Sequence, residues 1–361
     1  MDIIESNFAK TGNTVRIKHI ILLRALTILL VVLGHSTRST DSPAQYLYNP
    51  INTPFFEILL LKYIYSFHMP LFFWISGYIL YFSISEKKDH ISPVLELWKK
   101  IKRLIIPLYA TSFFVLLPTI FLFGQPDGSL IHMCKKFIIG KDIAHLWFLK
   151  SLFYIFIVVI PVSTLLKKAS YLQGIFICVS IMFLSFSKLI FPRFLRDLMF
   201  FLCGYYTRKF SRTFLKQNTL VLFFIFSITH TALFIFTQQC LILKNPVIII
   251  SKYFTPLSGI YFMYYISIYF SKLSVRYRFW HLVTLVDKRS YTIYLFHSTL
   301  IFAVFYTISF FPKANALSRI IFSTLLGIII PILLHHFISK IKYVSFLFSI
   351  PYYKYNNNDQ D

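Results

Sequence analysis

The sequence predicts an all-α protein, a polytopic membrane helix bundle with about ten transmembrane helices and both termini in the cytoplasm. Its composition is the first indication, because 57% of the 361 residues are hydrophobic and only 14% are charged, against about 25% charged residues in soluble domains. The mean hydropathy is +0.67. Apolar runs long enough to cross a bilayer recur along the chain, and basic residues concentrate between them. These observations exclude soluble, disordered and nucleic-acid-binding proteins.

The apolar runs that define the predicted spans approach the length of about 20 residues that a helix needs to cross the hydrocarbon. They are residues 18–36, 59–83, 103–123, 146–166, 171–189, 194–209, 218–241, 247–270, 290–311 and 318–339. A further apolar stretch at 343–353 is too short to span and is expected to lie at the interface. The chain is therefore divided into a transmembrane domain at 1–342 and a short interfacial and polar tail at 343–361.

The positive charge of the chain predicts its orientation. Lys and Arg number 37 against 13 Asp and Glu, a net charge of +24. The basic residues are most frequent in the N-terminal tail, in the C-terminal tail and in the linkers near 84–102, 167–170, 210–217 and 271–289. Since basic loops stay in the cytoplasm, both termini are placed there, and the charge indicates contact with lipid headgroups rather than with nucleic acid.

Ionisable residues at membrane depth are expensive and are therefore candidates for function. Arg24 and His35 are 11 residues apart in the first span, which places them on one helix face about 16 Å apart along the axis. Arg24 is expected near the cytoplasm and His35 near the outer end. His68 opens the second span at a similar depth, and Pro70 and Gly77 loosen that helix where a ligand could approach.

Basic residues also enter the third span, at Lys99, Lys100, Lys102 and Arg103. They are either a positive-inside anchor or a site for the phosphates of a cytosolic ligand. Among the 13 carboxylates, only Asp197 is expected within a span, so a proton- or sodium-coupled transporter is disfavoured. The histidines show no metal-ligand spacing with a carboxylate partner, and no metal site is predicted.

Five segments resemble motifs of the membrane-bound acyltransferase-3 family, polytopic O-acetyltransferases that act on bacterial surface carbohydrates. They are RALTILLVVLGHS at 24–36, FHMPLFFWISGY at 67–78, KKIKRLIIPLY at 99–109, HLWFL at 145–149 and SYTIYLFH at 290–297. They occur in the family's order. The first two are specific, and the other three support them.

The resemblance implies transfer of an acetyl group from acetyl-CoA to a sugar hydroxyl, in a multi-pass protein of the bacterial inner membrane. The required arginine and histidine of the first motif correspond to Arg24 and His35. The basic pair of the third span is usually Arg-x-x-Arg, and here it reads Lys100 to Arg103. Lys100 supplies the positive charge but not the two parallel N–H donors with which an arginine binds a phosphate.

Roles for the site residues follow from the chemistry of acyl transfer, which needs a base near the attacking oxygen. His35 is assigned as the general base or as a transient acyl carrier, and His68 as an alternative base. Arg24, Lys100 and Arg103 are assigned to the phosphates of CoA, and no metal is required. The residues expected to contact the acceptor are Trp147, Tyr294 and His297.

Two other functions compete with this interpretation. A flippase or polymerase of lipid-linked oligosaccharide is also polytopic and basic, but it is expected to have more spans, a charged lumen or a large external loop. An acyltransferase for a small-molecule acceptor fits the same motifs. The expected partners are the bilayer and a surface-glycan or lipid-linked sugar acceptor, and no nucleic acid is expected.

Overall fold

The structure is a computed structural model and describes residues 14–37, 55–85, 92–123, 128–186, 191–211, 218–242, 247–273, 277–309 and 316–353. Every regular element in these ranges is helical, which confirms the predicted all-α bundle. The helices are α1 (Thr14–Ser36), α2 (Phe55–Tyr65), α3 (His68–Ser85), α4 (Pro93–Phe123), α5 (Leu130–Ile139), α6 (Trp147–Val159), α7 (Ser163–Lys168), α8 (Tyr171–Phe186), α9 (Pro192–Lys209), α10 (Thr219–Ile242), α11 (Ile248–Lys272), α12 (Tyr277–Ser309), α13 (Ala316–Ile338) and α14 (Lys342–Leu347).

Six helical segments of the described chain are long and apolar enough to cross a membrane, so the protein is a multi-pass membrane protein. They are Lys18–Ser36, Phe56–Ile84, Pro93–Phe123, Leu130–Val159, Thr219–Ile242 and Leu317–Ile338. The other predicted spans also fall on helices, namely α8, α9, α11 and α12. The count of ten spans and the side on which the termini lie stay predictions.

The first helix is at the centre of the bundle. It packs against α3, α11, α12 and α13, and its buried residues include Leu23, Ile28 and Val32. These side chains belong to the main hydrophobic core. Arg24 and His35 are therefore both carried by the helix that has neighbours on most sides.

Helices α3 and α9 approach each other closely through a pair of glycines. A Cβ atom on Gly77 would lie 1.9 Å from the carbonyl oxygen of Phe201, and one on Gly204 would lie 1.9 Å from that of Trp74. Real Cβ atoms essentially never come within 3.0 Å of such an atom, so both positions require glycine. Close contacts between small residues are common between membrane helices. This contact fixes the position of α3, the helix that begins at His68.

Several predicted spans have different boundaries in the structure: the span at 146–166, for example, is divided at residues 160–162 between α6 and α7. Two other differences affect the position of candidate site residues. The span at 59–83 is divided at Ser66 and Phe67 into α2 and α3, so His68 is the first residue of a new helix. The span at 290–311 begins earlier, because α12 starts at Tyr277. Part of the predicted cytoplasmic linker is therefore helical, and its Val283 is buried in a cluster with Leu22 and Ala25 of α1.

Candidate active site

A cavity of about 770 Å³ surrounds one end of α1 and is called here the His35 cavity. His35 lines it from α1, His68 from the start of α3, and His145 from the short 3₁₀ turn that precedes α6. Trp147 and Tyr294 line it as well. The cavity therefore brings together four of the site residues predicted from sequence and adds His145, which the sequence placed only in a supporting motif.

His35, His145 and His297 form a compact cluster of rings. The ring centres of His35 and His297 are 5.0 Å apart, those of His145 and His297 are 5.1 Å apart, and those of His35 and His145 are 6.4 Å apart. His297 is fully buried and lies behind His35, outside the set of side chains that line the cavity. The structure thus places His297 beside His35, the predicted base, and outside the lining of this cavity.

Backbone carbonyls determine which ring nitrogen carries the proton. The Nδ1 atom of His68 lies 2.9 Å from the oxygen of Ile64, and that of His297 lies 2.9 Å from the oxygens of both Ile293 and Tyr294. Because a carbonyl can only accept, Nδ1–H donates in both rings. In the neutral rings Nε2 then keeps a free lone pair, and that of His297 is buried with no hydrogen-bond partner in the described structure.

His145 has the opposite tautomer. Its Nε2 atom lies 3.2 Å from the carbonyl oxygen of Leu295, so Nε2–H donates and Nδ1 carries the lone pair. That Nδ1 atom is buried and has no partner among the described residues. For His35 no hydrogen bond within the described ranges fixes a tautomer, and its ring edge contacts Tyr65, whose ring centre is 6.2 Å away. Among the three rings of this cluster, His35 is therefore the one that can either accept or donate a proton.

The break between α2 and α3 positions His68. The hydroxyl of Ser66 donates to the carbonyl oxygen of Tyr63 over 2.7 Å, and Phe67 packs against Gly259 so closely that a Cβ there would lie 2.6 Å from the Cβ of Phe67. Pro70 follows in the first turn of α3, where its missing N–H carries no penalty. Because α3 begins at His68, this side chain lies at the wall of the His35 cavity.

A second cavity, of about 380 Å³, surrounds Arg24 and is called the Arg24 cavity. The cations among its described lining residues are Arg24, Lys100, Arg103 and Lys288. Three of these are the phosphate-binding residues predicted from sequence. Lys102 is instead exposed, with its ammonium 5.4 Å from the ring centre of Trp98, and does not line the cavity.

The basic residues of α4 lie at a local change in helix geometry. Ile101–Ile105 forms a π-helical segment, a feature that is often found at functional sites. The backbone carbonyl of Arg103 in this segment accepts a 2.5 Å hydrogen bond from the hydroxyl of Tyr291, and the ammonium of Lys100 lies 4.4 Å from the ring centre of Phe156. These contacts tie the basic segment to α12 and α6.

Arg24 is held by a carboxylate that the sequence analysis missed. Its Nε atom lies 3.1 Å from Oδ1 of Asp287, whose side chain is only 6% exposed. Asp287 lies in α12, just before the predicted span at 290–311. The expectation that Asp197 is the only carboxylate within a span is wrong for Glu57, which lies in the membrane-crossing segment Phe56–Ile84, is fully buried and pairs with Arg319 at 2.8 Å. Asp287 was assigned to a linker because charged residues around it lower the hydropathy of the first turns of α12.

Tyr294 lies between the two cavities and lines both of them. Its hydroxyl donates a 2.5 Å hydrogen bond to the backbone carbonyl of His145, which ties α12 to the turn before α6. Arg24 and His35 are separated by 11 residues of α1, a distance of about 16 Å. The bundle thus has a basic cavity and a histidine-lined cavity that meet at one tyrosine.

Residues 17–336 match the acyltransferase-3 domain family, which is described as an acyltransferase domain. The chain belongs to this family. No curated protein and no solved structure matches it at a significant level. The acyltransferase-3 domain covers nearly the whole chain, including every lining residue of the His35 cavity and most of those of the Arg24 cavity, and confirms the resemblance inferred from the motifs.

In this acyltransferase-3 domain the predicted residues divide between the two cavities. Arg24, Lys100 and Arg103 line one, and His35 and His68 line the other. Within the described residues no group of three or more His, Cys, Asp or Glu side chains has a metal-binding arrangement. Imidazole rings that can transfer protons line one cavity, and fixed positive charges line the other.

Proposed function

We propose that this membrane acyltransferase transfers an acetyl group from acetyl-CoA to a hydroxyl of a cell-surface glycan, such as an O-antigen, capsule or exopolysaccharide sugar. The observation that carries the proposal is the meeting of the basic cavity and the histidine-lined cavity at Tyr294. An acyl-CoA has phosphates at one end and a reactive thioester at the other. The two cavities offer a partner to each end within one bundle.

The Arg24 cavity suits the phosphate end of the donor. Its cations include two arginines and two lysines, and guanidinium and ammonium groups bind phosphate through charge-assisted hydrogen bonds. Its 380 Å³ is within the range of small-ligand sites. In the bacterial inner membrane, this cavity faces the cytosol, where the donor is made, and the basic linkers lie on the same side.

The reaction takes place where the thioester reaches the His35 cavity. His35 removes the proton of the acceptor hydroxyl as its oxygen attacks the thioester carbonyl. The new ester C–O bond forms, the C–S bond breaks, and the CoA thiolate takes the proton back from the His35 imidazolium. His297 and His145, 5.0 and 6.4 Å from His35 by ring centres, orient that ring, and His68 offers a second lone pair at the wall.

The test is the O-acetyl content of cell-surface polysaccharide, measured by NMR in cells that carry the wild-type chain, His35→Ala or no chain. His336→Ala is the matched control, because His336 is exposed and lines neither cavity. Acetyl signals with the wild type and the control, and none with His35→Ala, support the proposal and identify the modified hydroxyl.

Two outcomes contradict the proposal. Unchanged acetylation with an altered amount or chain length of glycan points to a flippase or polymerase. No change in the glycan of any kind points to a small-molecule acceptor. Insertion of each variant is checked by its abundance in the membrane fraction.

A further inference from the structure

The His35 cavity carries positive charge that the acyl-transfer step does not use. The cations among its described lining residues are Lys62 of α2, Arg193 and Arg196 of α9, and Lys252 of α11. No Asp or Glu is among the described residues that line it. Three helices therefore contribute the same sign of charge to the space beside the proposed base.

One carboxylate, that of Asp197, lies near two of these four cations. Arg196 lies 3.4 Å from the carboxylate of its neighbour Asp197. The charge of Arg193 also acts on that carboxylate. For Lys62 and Lys252 no ion pair is found within the described ranges, and Lys62, Arg193 and Lys252 are all exposed. Arg193 and Lys252 also lie in the first two turns of α9 and α11, where the helix dipole adds positive potential.

The same wall provides neutral hydrogen-bonding groups. Thr237 and Gln238 of α10 and Ser251 and Thr255 of α11 line the cavity. The hydroxyls of Thr237 and Thr255 lie 2.8 Å apart, so they already share a hydrogen bond across the two helices. Hydroxyl and amide groups beside exposed cations suit a ligand that has both sugar hydroxyls and an oxyanion.

We propose that the His35 cavity binds an anionic acceptor glycan, whose carboxylate or phosphate is held by Arg193 and Lys252 while a neighbouring hydroxyl is presented to His35. This inference rests on the proposed function, since it describes the acceptor of that reaction. The cations are not explained as cytoplasmic anchors, because the cavity they line is at the opposite end of α1 from the basic Arg24 cavity.

Binding of defined glycans tests the inference without any acetyl transfer. The full chain is placed in nanodiscs of phosphatidylcholine, and the Kd is measured for a uronic-acid tetrasaccharide, for its carboxyl methyl ester and for a phosphorylated tetrasaccharide. We expect at least one of the two anionic glycans to bind about tenfold more tightly than the ester, as one charged hydrogen bond of about 1.5 kcal/mol provides. The anionic glycan with the lower Kd shows whether the cations prefer a carboxylate or a phosphate.

Charge variants locate the subsite. Arg193→Gln/Lys252→Gln is expected to abolish the preference for the anionic glycan. Lys135→Gln/Lys141→Gln removes the same number of exposed charges outside the cavity and is expected to retain it. Thermal unfolding in detergent checks that both variants are folded.

Three results would overturn the inference. One is equal affinity for the ester and both anionic glycans, and another is a preference that persists in Arg193→Gln/Lys252→Gln. The third is a variant that keeps its glycan preference but no longer co-purifies with phosphatidylglycerol, as measured by native mass spectrometry. That result would mean that the cations bind lipid headgroups. Since these assays contain no acetyl-CoA, their failure is distinct from failure of the transferase, which is judged by His35-dependent transfer.

Discussion

The ion pair between Arg24 and Asp287 predicts a large and specific loss of stability in Asp287→Asn. The substitution keeps the size of the side chain but removes its charge, and leaves Arg24 without the carboxylate that lies 3.1 Å away. Breaking a buried pair by removing one partner costs about 3–5 kcal/mol. Because the Arg24 side chain is 24% exposed to its cavity, we expect about 3 kcal/mol, the lower end of that range.

The assay is the free energy of unfolding of the wild type, Asp287→Asn, Arg24→Gln and the double variant in the same detergent. The loss of unfolding free energy in the double variant should be smaller than the sum of the losses in the two single variants by at least about 1 kcal/mol. In the double variant both groups are neutral, so neither charge is buried without the other. Asp142→Asn is the control, because Asp142 pairs with Lys136 at 2.8 Å but its side chain is 61% exposed. An exposed pair contributes about 0–1 kcal/mol.

A wild-type stability of Asp287→Asn would refute the argument that Asp287 neutralises Arg24 inside the bundle. Strict additivity of the two single variants would refute it as well, because additivity means that the two groups do not interact.

Three further predictions follow from other contacts. Gly204→Ala places a Cβ 1.9 Å from a backbone oxygen of α3, so the thermal midpoint should fall by several degrees; an unchanged midpoint would contradict the close packing. Tyr294→Phe removes the 2.5 Å bond to His145 and should slow transfer about tenfold, whereas an unchanged rate would show that this bond does not position the turn. Glu57→Gln removes the carboxylate charge 2.8 Å from the guanidinium of Arg319 and should lower the unfolding free energy by about 3–5 kcal/mol, and equal stability would exclude that role.

The fold class was predictable because membrane helices leave a direct pattern in the sequence. Every backbone group must be satisfied within the bilayer, so long apolar runs predict helices, and the described chain contains helices at each predicted span. The alignment of Arg24 and His35 on α1 depends on helix periodicity alone. Local geometry of this kind needs no knowledge of tertiary packing.

The rest of the site depends on contacts between distant segments. His145 and His297 are 152 positions apart in the numbering yet have ring centres within 5.1 Å. Nothing in either local motif indicates that proximity. The break before His68 depends on Gly259, a residue of another helix, and the burial of Asp287 depends on the packing of α12 along α1. The sequence alone does not distinguish a charged residue that pairs with a residue of a distant helix from one that faces water.

The central claim is that His35 performs the chemistry while the Arg24 cavity holds the donor, and transfer by the purified chain tests it most directly. Labelled acetyl-CoA and acceptor glycan are supplied to proteoliposomes that contain the wild type, His35→Ala or the control His336→Ala. We predict that His35→Ala loses at least about 100-fold in the rate of transfer, the contribution of a general base, while its Kd for acetyl-CoA changes little. Transfer by His35→Ala at the wild-type rate would contradict the account.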